Sequence, residues 1–272
     1  YKCNAGVPTQ MLNYKSKKRL KNIGINLNAA TRKAELVTTT TEFLADEYRK
    51  LNSNVIVLPN LVDPEDWEKP LHNKTDKVRI GMVGSVLANK EYQPVYSAMK
   101  RLYKRDDVQL VILGLPKGAK KGDIFRELYK EEFKFWEPLK NIEWHRWVSH
   151  KDYNITLNEL RLDIMLIPRN DNYFNRCKSN VKFLEASMCE IATIAQGFPD
   201  KKSPYQVNSD DTKHCKIVTD NNKWYETIDD LIKHPKERKQ MGKEARKYVI
   251  LNYNIHNKYH LWNDAYTKLL KK

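Results

Sequence analysis

The feature that most constrains this chain is an alternation, sustained from residue 78 onward, of short β-branched runs with longer stretches of helical character. Parallel strands need a crossover to return to the same edge of a sheet, and that crossover is usually a helix. The runs at 78–83, 108–113, 142–147, 163–168, 191–195 and 216–218 read as strands. Helices are predicted over 93–103, 123–134, 153–160, 180–188, 224–233, 235–251 and 256–270. Six strands, most followed by a loop and a helix, predict an α/β class with a doubly wound, Rossmann-like parallel sheet.

Upstream the pattern is shorter. Residues 5–34 are basic, with a helix expected within 17–34, followed by a strand at 36–39. Thr41 is placed to cap a helix over 42–51, and 55–58 reads as a second strand. Pro59-Asn60-Leu61-Val62-Asp63-Pro64 and the polar stretch 68–77 then mark a linker. The expected organisation is a partial first domain (1–60), a linker (61–77), an α/β domain (78–255) and a closing helix (256–272).

With 272 residues, 40% hydrophobic and 31% charged, the chain has the balance of a globular protein with a substantial core. Its longest apolar runs, such as Ile164-Met165-Leu166-Ile167, are strand-sized and too short to cross a bilayer. No signal peptide is legible, and a cytoplasmic location is expected. The chain does not open on Met, which reads as a fragment or a processed form. Cys3, Cys177, Cys189 and Cys215 have no C-x-x-C pairing, so reduced structural thiols are expected rather than a zinc site. The net charge of +15 either attracts phosphate-rich partners or reflects a Lys-rich solvated surface. Its spread along the chain, with mild clusters at 15–21, 117–121 and 233–247, argues against a dedicated DNA-reading motif.

Three loops at predicted strand ends carry chemistry. Gly84-Ser85 followed by Asn89-Lys90 offers close backbone approach and a cation before a helix, suited to a phosphate but equally to an ordinary turn. In the stretch 168–185, Ser179 or Asn180 is placed to cap a helix that Lys178 precedes, and Lys182 and Glu185 share one face. Two cations at a helix N-terminus suit a diphosphate, and a carboxylate one turn further can accept two ribose hydroxyls. The plainer alternative is a solvated Lys–Glu pair, against which stand the apolar neighbours Val181, Phe183, Leu184 and Met188. The third loop, Trp147-Val148-Ser149-His150, ends a strand with a capping Ser, and a lone His there reads better as a surface residue than as a base.

Taken in order, these segments resemble the C-terminal domain of a GT-B glycosyltransferase of the large retaining group (family 4-like). Residues 78–85 resemble the first strand and glycine loop, Asn89-Lys90 the end of that loop, and 141–148 the third strand with its Trp-Val ending. Phe174-Asn175-x-x-Lys178-Ser179-x-x-Lys182-Phe183-x-Glu185-Ala186 resembles the donor-site motif of one subgroup, and His234-Pro235 with 242–249 resembles the closing helices. The likeness spans about 35–270.

It implies transfer of a sugar from a nucleotide-diphosphate sugar, with retention, without a cofactor and without a metal. Glu185 would hold the ribose, Lys182 and Lys90 would face the diphosphate beside Gly84 and Ser85, and the backbone at Val148 would meet the base. Asn175, Lys178 and Ser179 complete the donor set. Two departures stand out: Ser85 replaces a basic residue that often follows the glycine, and Cys177 replaces the first Glu of the usual Glu-x7-Glu pair. The resemblance also leads one to expect a fuller acceptor-side domain upstream, with 59–63 and 256–270 forming the interdomain crossing.

The acceptor is not legible; the charge favours an anionic one (a glycan, a lipid-linked or polymeric acceptor) and peripheral contact with an inner membrane face. Two other readings stay open: a nucleic-acid-associated protein that glycosylates modified DNA bases, and a degenerate domain that only binds.

Overall fold

A computed structural model describes residues 14–84, 91–114, 141–146, 148–206 and 213–271, together with Lys134, Trp136, Pro138 and Leu139. The predicted helix over 123–134 lies outside the described residues apart from its last residue. Helix α1 (Tyr14–Lys33) leads to β1 (Val37–Thr39), α2 (Glu42–Arg49) and β2 (Val55–Val57). Strands β1 and β2 pair in parallel as a sheet of their own. Thr41 caps α2 as expected, its hydroxyl accepting from the Leu44 N–H at 3.3 Å.

The remainder builds a six-stranded sheet from β3 (Val78–Val83), β4 (Val108–Leu113), β5 (Ile142–His145), β6 (Ile164–Ile167), β7 (Ala192–Gln196) and β8 (Lys216–Val218). All its pairings are parallel, in the order β5-β4-β3-β6-β7-β8. The helices are α3 (Tyr96–Leu102, after a 3-10 turn at Gln93–Val95), α4 (Tyr153–Glu159), α5 (Tyr173–Arg176), α6 (Val181–Met188), α7 (Trp224–Lys233), α8 (Pro235–Tyr253), α9 (Ile255–Lys258) and α10 (His260–Leu270). Helix α5 is an element the sequence pattern did not announce: four residues are too few to carry a helical period.

Successive strand residues point to opposite faces, and both faces are covered. Ile80, Met82, Leu110, Ile112, Ile164 and Leu166 pack on one side with Met99 and Leu102 of α3 and Trp224, Ile228 and Leu231 of α7. Val83, Val111, Leu113, Met165 and Ile167 pack on the other with Leu157 of α4, Phe183 and Leu184 of α6, and Ala245 and Val249 of α8. That is why the strands read as unbroken apolar runs: neither face is left to water. The architecture is doubly wound α/β, as the alternation predicted.

Segments 59–63 and 253–256 run side by side. The Val62 N–H donates to the Tyr253 carbonyl at 2.9 Å, the Ile255 N–H to the Val62 carbonyl at 2.9 Å, and His256 Nε2 lies 3.0 Å from Asp63. Lys258 and Leu261 then face Thr40, Phe43 and Val57 across a cavity of about 430 Å³. Cys189 and Cys215 are buried and Cys177 is half-buried; none of the three forms a disulfide among the described residues.

Candidate functional site at the carboxyl edge of the sheet

A parallel sheet delivers the carboxyl end of every strand to one edge, and a crevice opens where the strand order reverses. Here the reversal falls between β3 and β6. Gly84 and Gly114, which follow β3 and β4, both have left-handed backbones with φ of 98° and 105°. A Cβ built on Gly114 would stand 2.7 Å from the Gly84 carbonyl oxygen, so the two strand ends meet with no side chain between them.

Helix α6 starts at this crevice. The Lys182 ammonium donates to the Val83 carbonyl, and a Cβ on Gly84 would lie 3.1 Å from its Nζ. Desolvation lowers the pKa of Lys182 to about 7, with Arg169 pushing the same way and Glu91 and Glu185 opposing. One turn on, the Tyr153 hydroxyl donates to Glu185 Oε2 at 2.8 Å. Burial raises the Glu185 pKa, against the hydrogen bond from Tyr153 and the charges of Lys182 and His150. Its second oxygen takes no hydrogen bond among the described residues, which leaves an acceptor for hydroxyls.

Lys178 lies between α5 and α6. Its ammonium donates to Glu91 Oε1 at 2.8 Å and sits 4.5 Å from the Phe174 ring centre. Glu91 accepts from Arg169 through its other oxygen, and the buried Tyr205 lies close enough to the Arg169 guanidinium to feel its charge. The Lys178 pKa is lowered, by burial first and then by Arg169. Asn175 is fully buried; its amide donates to the Asn170 carbonyl at 2.9 Å, while Oδ1 has no partner among the described residues.

The expected cap of α6 is corrected. Ser179 Oγ instead accepts from Asn60 Nδ2 at 2.6 Å, and Asn180, at the N-cap position, turns its amide to the Tyr253 hydroxyl at 3.3 Å. Both side chains are drawn to segments 59–63 and 253–256, so no side chain caps α6; the Phe183 N–H donates to the Asn180 carbonyl at 2.8 Å, and those of Val181 and Lys182, without a partner among the described residues, remain for a ligand. Ser149 likewise bonds the Asp152 carboxylate at 2.6 Å rather than a helix N–H, and α4 starts at Tyr153 without a side-chain cap. Val148 and His150 are exposed beside it. Ser85, Lys90 and Trp147 lie outside the described residues.

The structure thus gathers Gly84, Lys178, Lys182 and Glu185 at one crevice and turns Ser179 away toward Asn60. It adds Glu91, Arg169, Tyr153 and Tyr205, which sequence reasoning missed. The available signal was an acid directly after Lys90 and an Arg directly after the 163–168 run, each flanking a loop weighed for phosphate.

A parallel sheet covered by helices on both faces, with a crevice where its strand order reverses, defines the doubly wound α/β class, in which ligands sit at the carboxyl edge. Solved structures share the fold at low identity. Sucrose-phosphate synthase from Thermosynechococcus elongatus superimposes with a TM-score of 0.70 at 14% identity, covering 96% of this chain and 65% of that one. HepE from Anabaena, solved in complex with UDP and glucose, gives 0.70 at 11% identity, covering 94% and 69%. A glycosyltransferase from Rickettsia africae gives 0.64 at 14%, covering 96% and 68%. The chain therefore spans just under two thirds of the length of the synthase.

Residues 63–248 match the family of glycosyl transferases group 1, and the chain belongs to that family. The GT-B resemblance read from the sequence holds with it. No curated protein sequence matches the chain significantly. Among the described residues, no helix is long and apolar enough to cross a membrane.

Proposed function

We propose that the crevice binds a nucleotide-diphosphate sugar and that the protein transfers the sugar to an acceptor, with retention and without a metal. The observation that carries this reading is the pairing on α6 of a desolvated cation against the Gly84 turn with a carboxylate whose second oxygen has no partner among the described residues. Lys182, Lys178 and the uncapped N-terminus of α6 would stabilise the negative charge that builds on the departing diphosphate, the largest electrostatic demand of the reaction. Glu185, oriented by Tyr153, would accept the ribose hydroxyls.

HepE was solved with UDP and glucose, which makes a uridine donor the first to try. The segment 1–60 is proposed as acceptor-side structure, with 61–77 as linker and 256–272 crossing back to it. Lys202 and Lys258 line the cavity beside it with Arg176 and Lys178, which are already paired with Asp171, Asp200 and Glu91; Glu42 is the one acid among the described lining residues, and this excess favours an anionic acceptor. The test is thermal melting with UDP-glucose, GDP-mannose and ADP-glucose. One of them should raise Tm, and Glu185→Ala should abolish that rise; no shift with any donor would remove the proposal.

A further inference from the structure

We infer that Glu91 is a positioning residue for the donor diphosphate: it pins Lys178 at the crevice, so that binding the diphosphate depends on a carboxylate that does not itself face it. The inference rests on the donor-site reading above and deepens it.

The geometry is specific. Glu91 is 3% exposed and Arg169 6%, so neither is a surface charge paired by chance. The two Glu91 oxygens are divided between Arg169 and Lys178. Glu91 follows β3, and Arg169 and Lys178 follow β6, so the ion pairs join the two sides of the reversal in strand order.

Lys178 is the most exposed member. Its side chain is 29% exposed, and Arg169 repels it while Glu91 attracts it. Without the carboxylate, Lys178 has a route to water and Arg169 has none. Loss of Glu91 therefore releases Lys178 toward water and away from the crevice. Lys182 feels the same imbalance: Arg169 and Lys178 lower its pKa, and Glu91 with Glu185 raises it. Removing Glu91 favours the neutral amine at Lys182, which attracts a diphosphate less.

The experiment is isothermal titration of the wild type, Glu91→Gln and Glu91→Asp across pH 6–9. The ligand is whichever of UDP-glucose, GDP-mannose and ADP-glucose the wild type binds most tightly. Glu91→Gln should weaken binding about tenfold near pH 7.5, the value of one charge-assisted hydrogen bond. It should also move the alkaline fall-off of affinity to lower pH. Glu91→Asp keeps the charge and should hold that fall-off near its wild-type position while failing to anchor Lys178 fully. Lysine side-chain NMR of the ligand-free proteins should give the same order of Lys182 midpoints, a readout that a purely structural role would leave unmoved.

Unchanged affinity and unchanged midpoints in a folded Glu91→Gln protein would overturn the inference. Should Glu91→Gln not fold, a Glu91→Asp protein with both properties lowered as if uncharged would overturn it instead. A wild type that binds none of the three sugars would overturn the donor-site reading itself, and this inference with it.

Discussion

Replacing Lys182 with Met tests the site through two opposite effects of one side chain. In the folded protein the ammonium has a pKa of about 7, against 10.5 for a free lysine, chiefly because it is desolvated. If only the charged form binds a diphosphate, apparent affinity scales with the charged fraction, about 0.9 at pH 6 and about 0.1 at pH 8. Donor affinity in the wild type should then fall roughly tenfold between those values. A nucleotide sugar is the right ligand, because its two phosphates keep their charges over this range, whereas the terminal phosphate of a free nucleoside diphosphate titrates within it.

Stability should respond in the other direction. A lysine whose folded pKa lies below its unfolded one destabilises the fold fully below the folded value. That cost fades as pH rises from about 7 toward the unfolded value of 10.5. At about 1.4 kcal/mol per pH unit it amounts to a few kcal/mol. Lys182→Met, close in shape and uncharged, should therefore melt higher than the wild type at pH 6 and gain less at pH 9, while binding donor weakly and without pH dependence. Calorimetric titration and thermal melting at both pH values decide it. A flat wild-type affinity between pH 6 and pH 8, or a Lys182→Met protein less stable than the wild type at pH 6, would refute the reasoning.

Two further substitutions separate backbone from side-chain roles. Gly84→Ala puts a Cβ 3.1 Å from Lys182 Nζ on a backbone with φ of 98°. A left-handed conformation costs a non-glycine residue about 1–3 kcal/mol, so Tm should fall by several degrees and donor affinity should drop with it; an unchanged melting curve would contradict the strain. Tyr153→Phe removes the hydroxyl that donates to Glu185 at 2.8 Å. Donor binding should weaken by the worth of one hydrogen bond to a charged group, about 1.5–3 kcal/mol, in calorimetry. Equal affinity would show that Glu185 needs no such orientation.

The sequence by itself determined the layers and the central helix of the site. Runs such as Val108–Leu113 and Ile164–Ile167 could be recognised because both faces of a parallel strand are buried. Lys178, Lys182 and Glu185 could be recognised because they fall within eight consecutive residues, where helical spacing alone places the last two on one face. Boundaries were softer: β5 ends at His145 rather than at residue 147, and the last predicted helix is broken into Ile255–Lys258 and His260–Leu270.

Tertiary structure alone decided what those residues meet. Glu91 and Lys178 are 87 positions apart, Arg169 and Glu91 78, and Tyr153 and Glu185 32. No local period links such pairs; the parallel sheet does, by bringing the loops after β3, β5, β6 and β7 to one edge. The same holds for Ser179, whose sequence context suggests a helix cap and whose hydroxyl instead meets Asn60, 119 positions away. A cap competes with every partner the fold brings within reach, and local sequence carries no record of those partners.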